Sequence, residues 1–208
     1  GETALLTAAK SEKWDIVTLL LENGSDVNDT DENSNTVAHI AARFGNEKCL
    51  KYLWETAADL NVMNKFKETP LLIAAKSRQW DIIPLMLKLG CKINDFDESG
   101  NTALHMAARY NSEDCVTMLL DLKAEVNVKN KRQETPLLTA AMFKNWSIVR
   151  LLLRYNADMT IFNSNRDSVL HLAARYGDIE TARLLVDMKA LYRYIDSIDK
   201  HINYERII

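Results

Sequence analysis

Apolar and polar positions recur along this chain with a fixed period. Six short segments carry it: TALLTAAK from Thr3, TVAHIAAR from Thr36, TPLLIAAK from Thr69, TALHMAAR from Thr102, TPLLTAAM from Thr135 and SVLHLAAR from Ser168. The six anchors are equally spaced, with no insertion between any two. A hydroxyl at the anchor, able to accept from an amide one turn on, predicts a helix N-cap. Pro70 and Pro136 follow directly, at the first helical position, where a missing N–H costs nothing. A double alanine sits in every segment, from Ala8-Ala9 to Ala173-Ala174, and lets neighbouring helices approach closely. A second apolar segment follows in each unit: IVTLLL from Ile16, CLKYLW from Cys49, IIPLML from Ile82, CVTMLL from Cys115, IVRLLL from Ile148 and TARLLV from Thr181. Its spacing buries most of a helix, as expected between two neighbours, and Pro84 falls in a first turn, where it is tolerated. Links rich in Gly, Asn, Asp and Ser, such as GSDVNDTDENSN from Gly24, predict projecting hairpin loops.

A repeat of this length marks an all-α solenoid of stacked helix-turn-helix units joined by short hairpin loops. The units alternate. His39, His105 and His171 recur at twice the basic period, as do Trp14, Trp80 and Trp146, and Cys49 and Cys115. A two-unit block was therefore duplicated. The turn after the first helix holds Gly45, Asn111 and Gly177 in the histidine units, but Glu12, Arg78 and Lys144 in the tryptophan units. Because a bulky residue at positive φ costs about 1 kcal/mol or more, the tryptophan units are expected to have a reshaped turn or a longer first helix. The tryptophan rings either fold over the junction or form an exposed edge for contacts.

The repeating unit, with T-P-L-H-x-A-A followed by a G-A-D-V-N-like segment, resembles the ankyrin repeat. The second half survives as GSDVN, AADLN, GCKIN and KAEVN, and fades to NADMT and KALYR. The resemblance spans about residues 2 to 197 and divides the chain into units at about 1–32, 33–65, 66–98, 99–131, 132–164 and 165–197. Residues 198–208 are expected to be a C-terminal cap or the start of a degenerate seventh repeat, because Ile195, Ile198 and Ile202 keep helical spacing. The chain reads as a segment of a longer protein, monomeric as a segment. The resemblance implies that the motif histidine hydrogen-bonds along the stack, and that partners dock in a concave groove lined by first helices and hairpin tips.

Composition changes little. The chain has 208 residues, 47% hydrophobic and 26% charged, with a net charge of −3, which gives no reason to expect nucleic acid. No apolar run reaches the ~18 residues of a membrane span. The cysteines Cys49, Cys91 and Cys115 lack C-x-x-C spacing and read as packing residues in a reducing, intracellular (cytoplasmic) setting. Histidines two units apart lie roughly 20 Å from one another, too far for a shared metal, and neither metal nor cofactor is expected. The acids read mostly as turn and helix-surface groups, no nucleotide or nucleophile motif is present, and no enzyme is expected.

Two ladders line the expected groove. The first is Lys10, Arg43, Lys76, Arg109, Met142 and Arg175; the second is Ser11, Phe44, Ser77, Tyr110, Phe143 and Tyr176. Five cations of six rungs in a net acidic chain form a local field that attracts carboxylates. The aromatics add the surface enriched at interface anchors. The candidate partner-binding residues are therefore Arg43, Phe44, Lys76, Arg109, Tyr110, Met142, Phe143, Arg175 and Tyr176, and the preferred stretch runs from Arg109 to Tyr176. The expected partner is a protein or peptide, acidic and partly apolar. The bland alternative is that these cations pair with neighbouring acids. Hairpin charges also alternate, Asp31, Glu32, Asp97 and Glu98 against Lys65, Lys67, Lys129, Lys131 and Arg132, as mutual attraction or as partner selection. Other roles left open are a structural spacer of a longer solenoid, or an accessory domain of a larger enzyme, channel or toxin.

Overall fold

The computed structural model describes residues 2–189, and the C-terminal cap expected from Ile195 onward lies outside them. Within these residues the chain forms helix pairs connected by loops. The first helices are α1 (Ala4–Lys10), α3 (Val37–Arg43), α5 (Pro70–Lys76), α7 (Ala103–Arg109), α9 (Pro136–Met142) and α11 (Val169–Tyr176). The second helices are α2 (Trp14–Glu22), α4 (Glu47–Glu55), α6 (Ile83–Lys88), α8 (Glu113–Asp121), α10 (Trp146–Arg154) and α12 (179–189). The first helices pack on one another in sequence, and α1, α3, α5, α7 and α9 each pack on their own second helix. The expected helical solenoid is present. One isolated bridge, Phe96 to Thr102, is the extended pairing among the described residues.

The core is assembled from repeated positions. The alanine pairs from Ala8-Ala9 to Ala140-Ala141 are at most 7% exposed, and so are the leucines beside them, Leu5, Leu6, Leu71, Leu72, Leu104, Leu137 and Leu138. Thr3, Thr69, Thr135 and Ser168 cap their helices through the side chain, as the anchor position predicts. α2, stacked on one side only among the described residues, buries Val17 and leaves Ile16 and Leu19 about half exposed; α10 buries Ile148, Val149, Leu152 and Leu153. Pro84 acts more strongly than expected. Its missing N–H splits the second helix of that unit into a 3-10 turn (Trp80–Ile82) followed by the short α6. Trp14, Trp80 and Trp146 are half-buried against the core, and Trp14 meets Phe44 edge-on with ring centroids 6.2 Å apart.

The turn in the tryptophan units departs from expectation. It is neither reshaped nor preceded by a longer helix. α1, α5 and α9 have seven residues, like α3 and α7, and Glu12, Arg78 and Lys144 sit at φ 56, 60 and 60°, in the left-handed region used by Gly45, Asn111 and Gly177. Two further left-handed positions recur at the same period. One follows the second helix (Gly24, Ala57, Gly90, Lys123, Asn156) and one lies in the hairpin loop (Ser34, Lys67, Gly100, Gln133, Arg166). The reason is hydrogen bonding. In the first turn the amides of the left-handed residue and its successor return to the alanine-pair carbonyls, as in Arg78 N–H to Ala75 O and Gln79 N–H to Ala74 O, at 3.2 and 2.9 Å. This closure satisfies helix-end carbonyls that are otherwise buried without partners. Among the described glycines, Gly100 is the one where a Cβ would meet backbone, 3.0 Å from Asn130 Cα.

The histidines join units as the resemblance implies. His39 and His105 accept the anchor amide on Nδ1, which leaves Nε2–H to donate to the carbonyls of Glu68 and Glu134 in the next unit, both at 3.0 Å. Burial lowers the pKa of both, that of His105 to about 4.

Two measurements follow from this packing. Replacing Lys123, exposed at φ 70°, by Gly should raise the urea-unfolding free energy by about 0.5–1 kcal/mol, the left-handed penalty less the entropy gained by the unfolded chain; a loss would mean that the position is unstrained. For His105, the unfolded chain titrates near 6.5 and the folded one near 4, so stability is fully present above the unfolded value and is lost as pH falls. Between pH 7 and pH 5 this histidine should remove about 2 kcal/mol, and the drop should be smaller in His105→Gln.

Candidate partner-binding groove

Each hairpin loop is built around one side chain five residues before the anchor. Asp31, Asn64, Asp97, Asn130 and Asn163 accept two backbone amides each on Oδ1, from the residues two and four further on, at 2.8–3.0 Å. Residues one before the anchor stand opposite: Asn35, Glu68, Asn101, Glu134 and Asp167. The carboxylate thus changes place between alternate units, Asp with Asn and then Asn with Glu. Asn64 Nδ2 donates to Glu68 and across the unit boundary to Asn35 Oδ1, at 3.0 and 2.9 Å. Asn130 repeats this with Glu134 and Asn101 at the same distances. Asp31 is held down to about 2: burial works against the charge, and the Asn35 and Asn33 amides with Lys10 outweigh it.

This alternation decides the fate of the cationic ladder. Where the residue before the anchor is acidic, the rung is paired. Lys10 meets Glu2 at 2.7 Å and Asp31 at 3.0 Å; Lys76 meets Glu68 at 2.5 Å; Arg175 grips Asp167 with two bonds of 2.7 and 2.8 Å, which hold the Asp167 carboxyl below its usual range. Where that residue is Asn35 or Asn101, the rung has no acid. Arg43 and Arg109 form no salt bridge among the described residues. The bland expectation therefore describes three of the five ladder cations. Met142 leaves Glu134 to Arg132, Nε to Oε2 3.4 Å. Some of these loop acids are buried. The acids are not all surface groups: Glu68, Glu134 and Asp167 are at most 7% exposed. Glu68 and Asp167 stand eight residues before a ladder cation, and Glu134 eight before Met142.

The aromatic ladder takes cations from the preceding unit. Arg78 lies 4.5 Å over the Tyr110 ring, Arg109 4.8 Å over Phe143 and Lys144 4.9 Å over Tyr176. Arg43 lies 5.9 Å over its neighbour Phe44. Phe143 and Tyr176 remain 47% and 38% exposed. Asn145 holds the end of α7 by donating to the carbonyls of Ala108 and Arg109 at 2.7 and 2.9 Å, which fixes the root of the Arg109 side chain.

Two clefts result, equivalent under the two-unit repeat. One is lined by Asn35, His39, Ile40, Arg43, Phe44 and Ile73 beside Lys10 and Asp31. The other has the matching Asn101, His105, Met106, Arg109, Tyr110 and Thr139 beside Lys76 and Asp97, with Arg132, Glu134 and Phe143 added. Of the nine candidate residues, Lys76, Arg109, Tyr110 and Phe143 share the second cleft, and Arg43 and Phe44 share the first. Met142, Arg175 and Tyr176 line neither. An exposed apolar set on neighbouring loops, Met63, Phe66 and Phe96, about half exposed each, was missed because those loops were read for charge. The loop charges form no salt bridge between loop tips among the described residues; Lys65 donates to the backbone carbonyl of Glu32.

The comparisons with known proteins agree with this architecture. A family profile described as ankyrin repeats (3 copies) matches residues 56–130 and 122–196, and one described as ankyrin repeats (many copies) matches residues 5–54. The chain belongs to the ankyrin repeat family. Ankyrin repeats are in general protein–protein interaction modules, typically without catalytic function. No curated protein matches the chain. Among the described residues, no helix is long and apolar enough to cross a membrane, and no group of three His, Cys, Asp or Glu could hold a metal ion. Cys49, Cys91 and Cys115 are buried, and burial pushes the Cys49 and Cys91 thiols up to about 12, away from thiolate chemistry.

These roles separate in stability. Reversing Arg43 or Arg109 to Glu breaks no ion pair and should leave the urea-unfolding free energy within about 1 kcal/mol. Asn130→Ala deletes two loop-closing hydrogen bonds and the contacts to Asn101 and Glu134, and should cost about 2–4 kcal/mol. Equal losses in both variants would contradict the division into paired scaffold and unpaired rungs.

Proposed function

We propose that this ankyrin-repeat segment is a protein-interaction module whose first-helix groove binds an acidic, partly apolar protein or peptide. One observation carries the reading. Among the described residues, Arg43 and Arg109 lack acid partners where Lys10, Lys76 and Arg175 have them, and both lie beside aromatic rungs. A guanidinium without a counter-ion over an aromatic face is arranged for an anion supplied from outside, with the ring as apolar surface beside it. Lys76, Tyr110, Met142, Phe143 and Tyr176 complete the contact stretch, and Arg175 contributes to its shape through Asp167 rather than by free charge. Buried, unpaired cysteines support an intracellular setting.

The test compares proteins retained from cell extract by the wild-type chain and by an Arg43→Glu, Arg109→Glu variant of matched thermal stability. A partner retained by the wild type and reduced about tenfold or more by the reversal is expected. Identical retention would remove the groove assignment and favour a spacer role or the exposed Met63, Phe66 and Phe96 loops.

A further inference from the structure

The two ladder arginines without an acid partner among the described residues stand in equivalent places. Arg43 and Arg109 occupy one position in two copies of the two-unit block, and their surroundings match: Asn35 with Asn101, His39 with His105, Phe44 with Tyr110. Both arginines are exposed. The unit between them repeats neither feature. Its rung is Lys76, which Glu68 neutralises, and the aromatic place beside it holds Ser77. Arg78, in the same unit, lies 4.5 Å over the Tyr110 ring and adds its charge at the Arg109 end. The acids that border the clefts are committed. Asp31 receives Lys10 and the Asn33 and Asn35 amides, Asp97 receives the Ser99 and Asn101 amides, and Glu134 receives Asn130 and Arg132. Along the groove the order is therefore open cation, neutralised rung, open cation.

The stack sets the distance between them. α3, α5 and α7 pack in sequence. Packed helices lie about 8–10 Å apart, so the two clefts lie about 16–20 Å apart. An extended chain advances about 3.1–3.4 Å per residue, so about five or six residues cover that distance. Side-chain direction selects six. Side chains alternate in a strand and repeat every third residue in polyproline II, and a separation of six returns to the same face in both. A helix would advance only about 9 Å over the same six residues and miss the second cleft.

Resting on the groove reading above, we propose that the partner segment crosses the first helices as an extended chain with two carboxylate side chains six residues apart, one on Arg43 and one on Arg109. Phe44 and Tyr110 supply apolar surface beside each carboxylate. A single exposed ion pair is weak. Once one is made, the second carboxylate meets its arginine at an effective concentration of about millimolar, and the two together bind far better than either alone. Selectivity then lies in the distance between the acids rather than in either cleft.

The probes are three rhodamine-labelled peptides of one Ser, Thr and Val background, which disfavours helix, with two glutamates at i and i+2, i and i+6, or i and i+10. Each is titrated with the 208-residue chain and followed by fluorescence anisotropy. The i+6 peptide should bind about tenfold tighter than the i+2 peptide, which reaches one arginine at a time, and about twofold or more tighter than the i+10 peptide, whose longer link lowers the effective concentration. With the i+6 peptide, Arg43→Gln and Arg109→Gln should each weaken binding about tenfold, and the double variant little more than either, because one lost anchor already removes the bridge. With the i+2 peptide each single variant should cost about twofold, one of two equivalent places. Arg154→Gln removes the same charge from the exposed end of a second helix and should cost less than about twofold with every peptide. Three equal affinities, tightest binding at i+10, no binding of the i+6 peptide, or a loss in Arg154→Gln as large as in Arg109→Gln each overturn the spacing. If the spacing falls but the Arg43 and Arg109 reversal still abolishes partner retention, the groove reading stands. If the peptides behave as described while the reversal leaves retention unchanged, the groove reading falls instead, and with it the proposal that the partner is held this way.

Discussion

Stacking at a fixed register is the constraint on which everything else in this chain depends. Each unit must offer its neighbour the same backbone, or the alanine-lined helix contact opens and buried carbonyls lose their amides. The left-handed positions show how strongly this is enforced. Among the described residues, eleven of them are held by residues other than glycine, including Arg78, Lys123 and Gln133, against five held by glycine. An isolated turn would not hold an arginine there. The penalty is borne because each turn closes by a backbone hydrogen bond, Arg78 onto Ala75, Lys123 onto Leu120 and Gln133 onto Asn130. Local preference is therefore overruled by the repeat, unit after unit.

That same constraint explains what the sequence disclosed and what it concealed. The unbroken period, the hydroxyl anchors and the alanine pairs were enough for the solenoid and its helices, because each of those features is a direct requirement of stacking. The turn in the tryptophan units was misjudged for the complementary reason. Glu12, Arg78 and Lys144 argue for a new turn shape only when each is considered apart from its neighbours in the stack. The splitting of one second helix at Pro84 was underestimated because position in the first turn was taken to be sufficient, while the helix before it had to begin without that amide.

The groove was legible in part. Counting residues from the anchor placed Arg43, Arg109, Phe44, Tyr110 and Phe143 where the clefts are. It could not separate a rung in use from a rung already satisfied. That distinction lies in the residue eight positions earlier, Glu2, Glu68 and Asp167 against Asn35 and Asn101. The pairing is across a loop, and it becomes visible once the hairpin folds back beside the helix. The buried acids were missed in the same way, since a carboxylate in a Gly- and Asn-rich link looks solvated until its Asn64 or Asn130 partner is seen beside it.

The alternation also bears on why a duplicated two-unit block is used at all. A uniform stack with an acid before every anchor would neutralise its whole cationic ladder and present a satisfied face. A uniform stack with asparagine there would leave up to six like charges in line, each repelling the next. Exchanging Asp–Asn for Asn–Glu between neighbouring loops does neither. Each loop keeps one carboxylate and one amide, so the asparagine-to-asparagine bond across the unit boundary survives, at 2.9 Å in both places where it forms. Glu2, Glu68 and Asp167, each before an anchor, reach a ladder cation, and the asparagines in their place leave Arg43 and Arg109 without a salt bridge among the described residues. Structural cohesion and an unpaired guanidinium are then produced by the same swap, and the free charges fall two units apart, about 20 Å, beyond the ~8–10 Å over which salt screens them from each other.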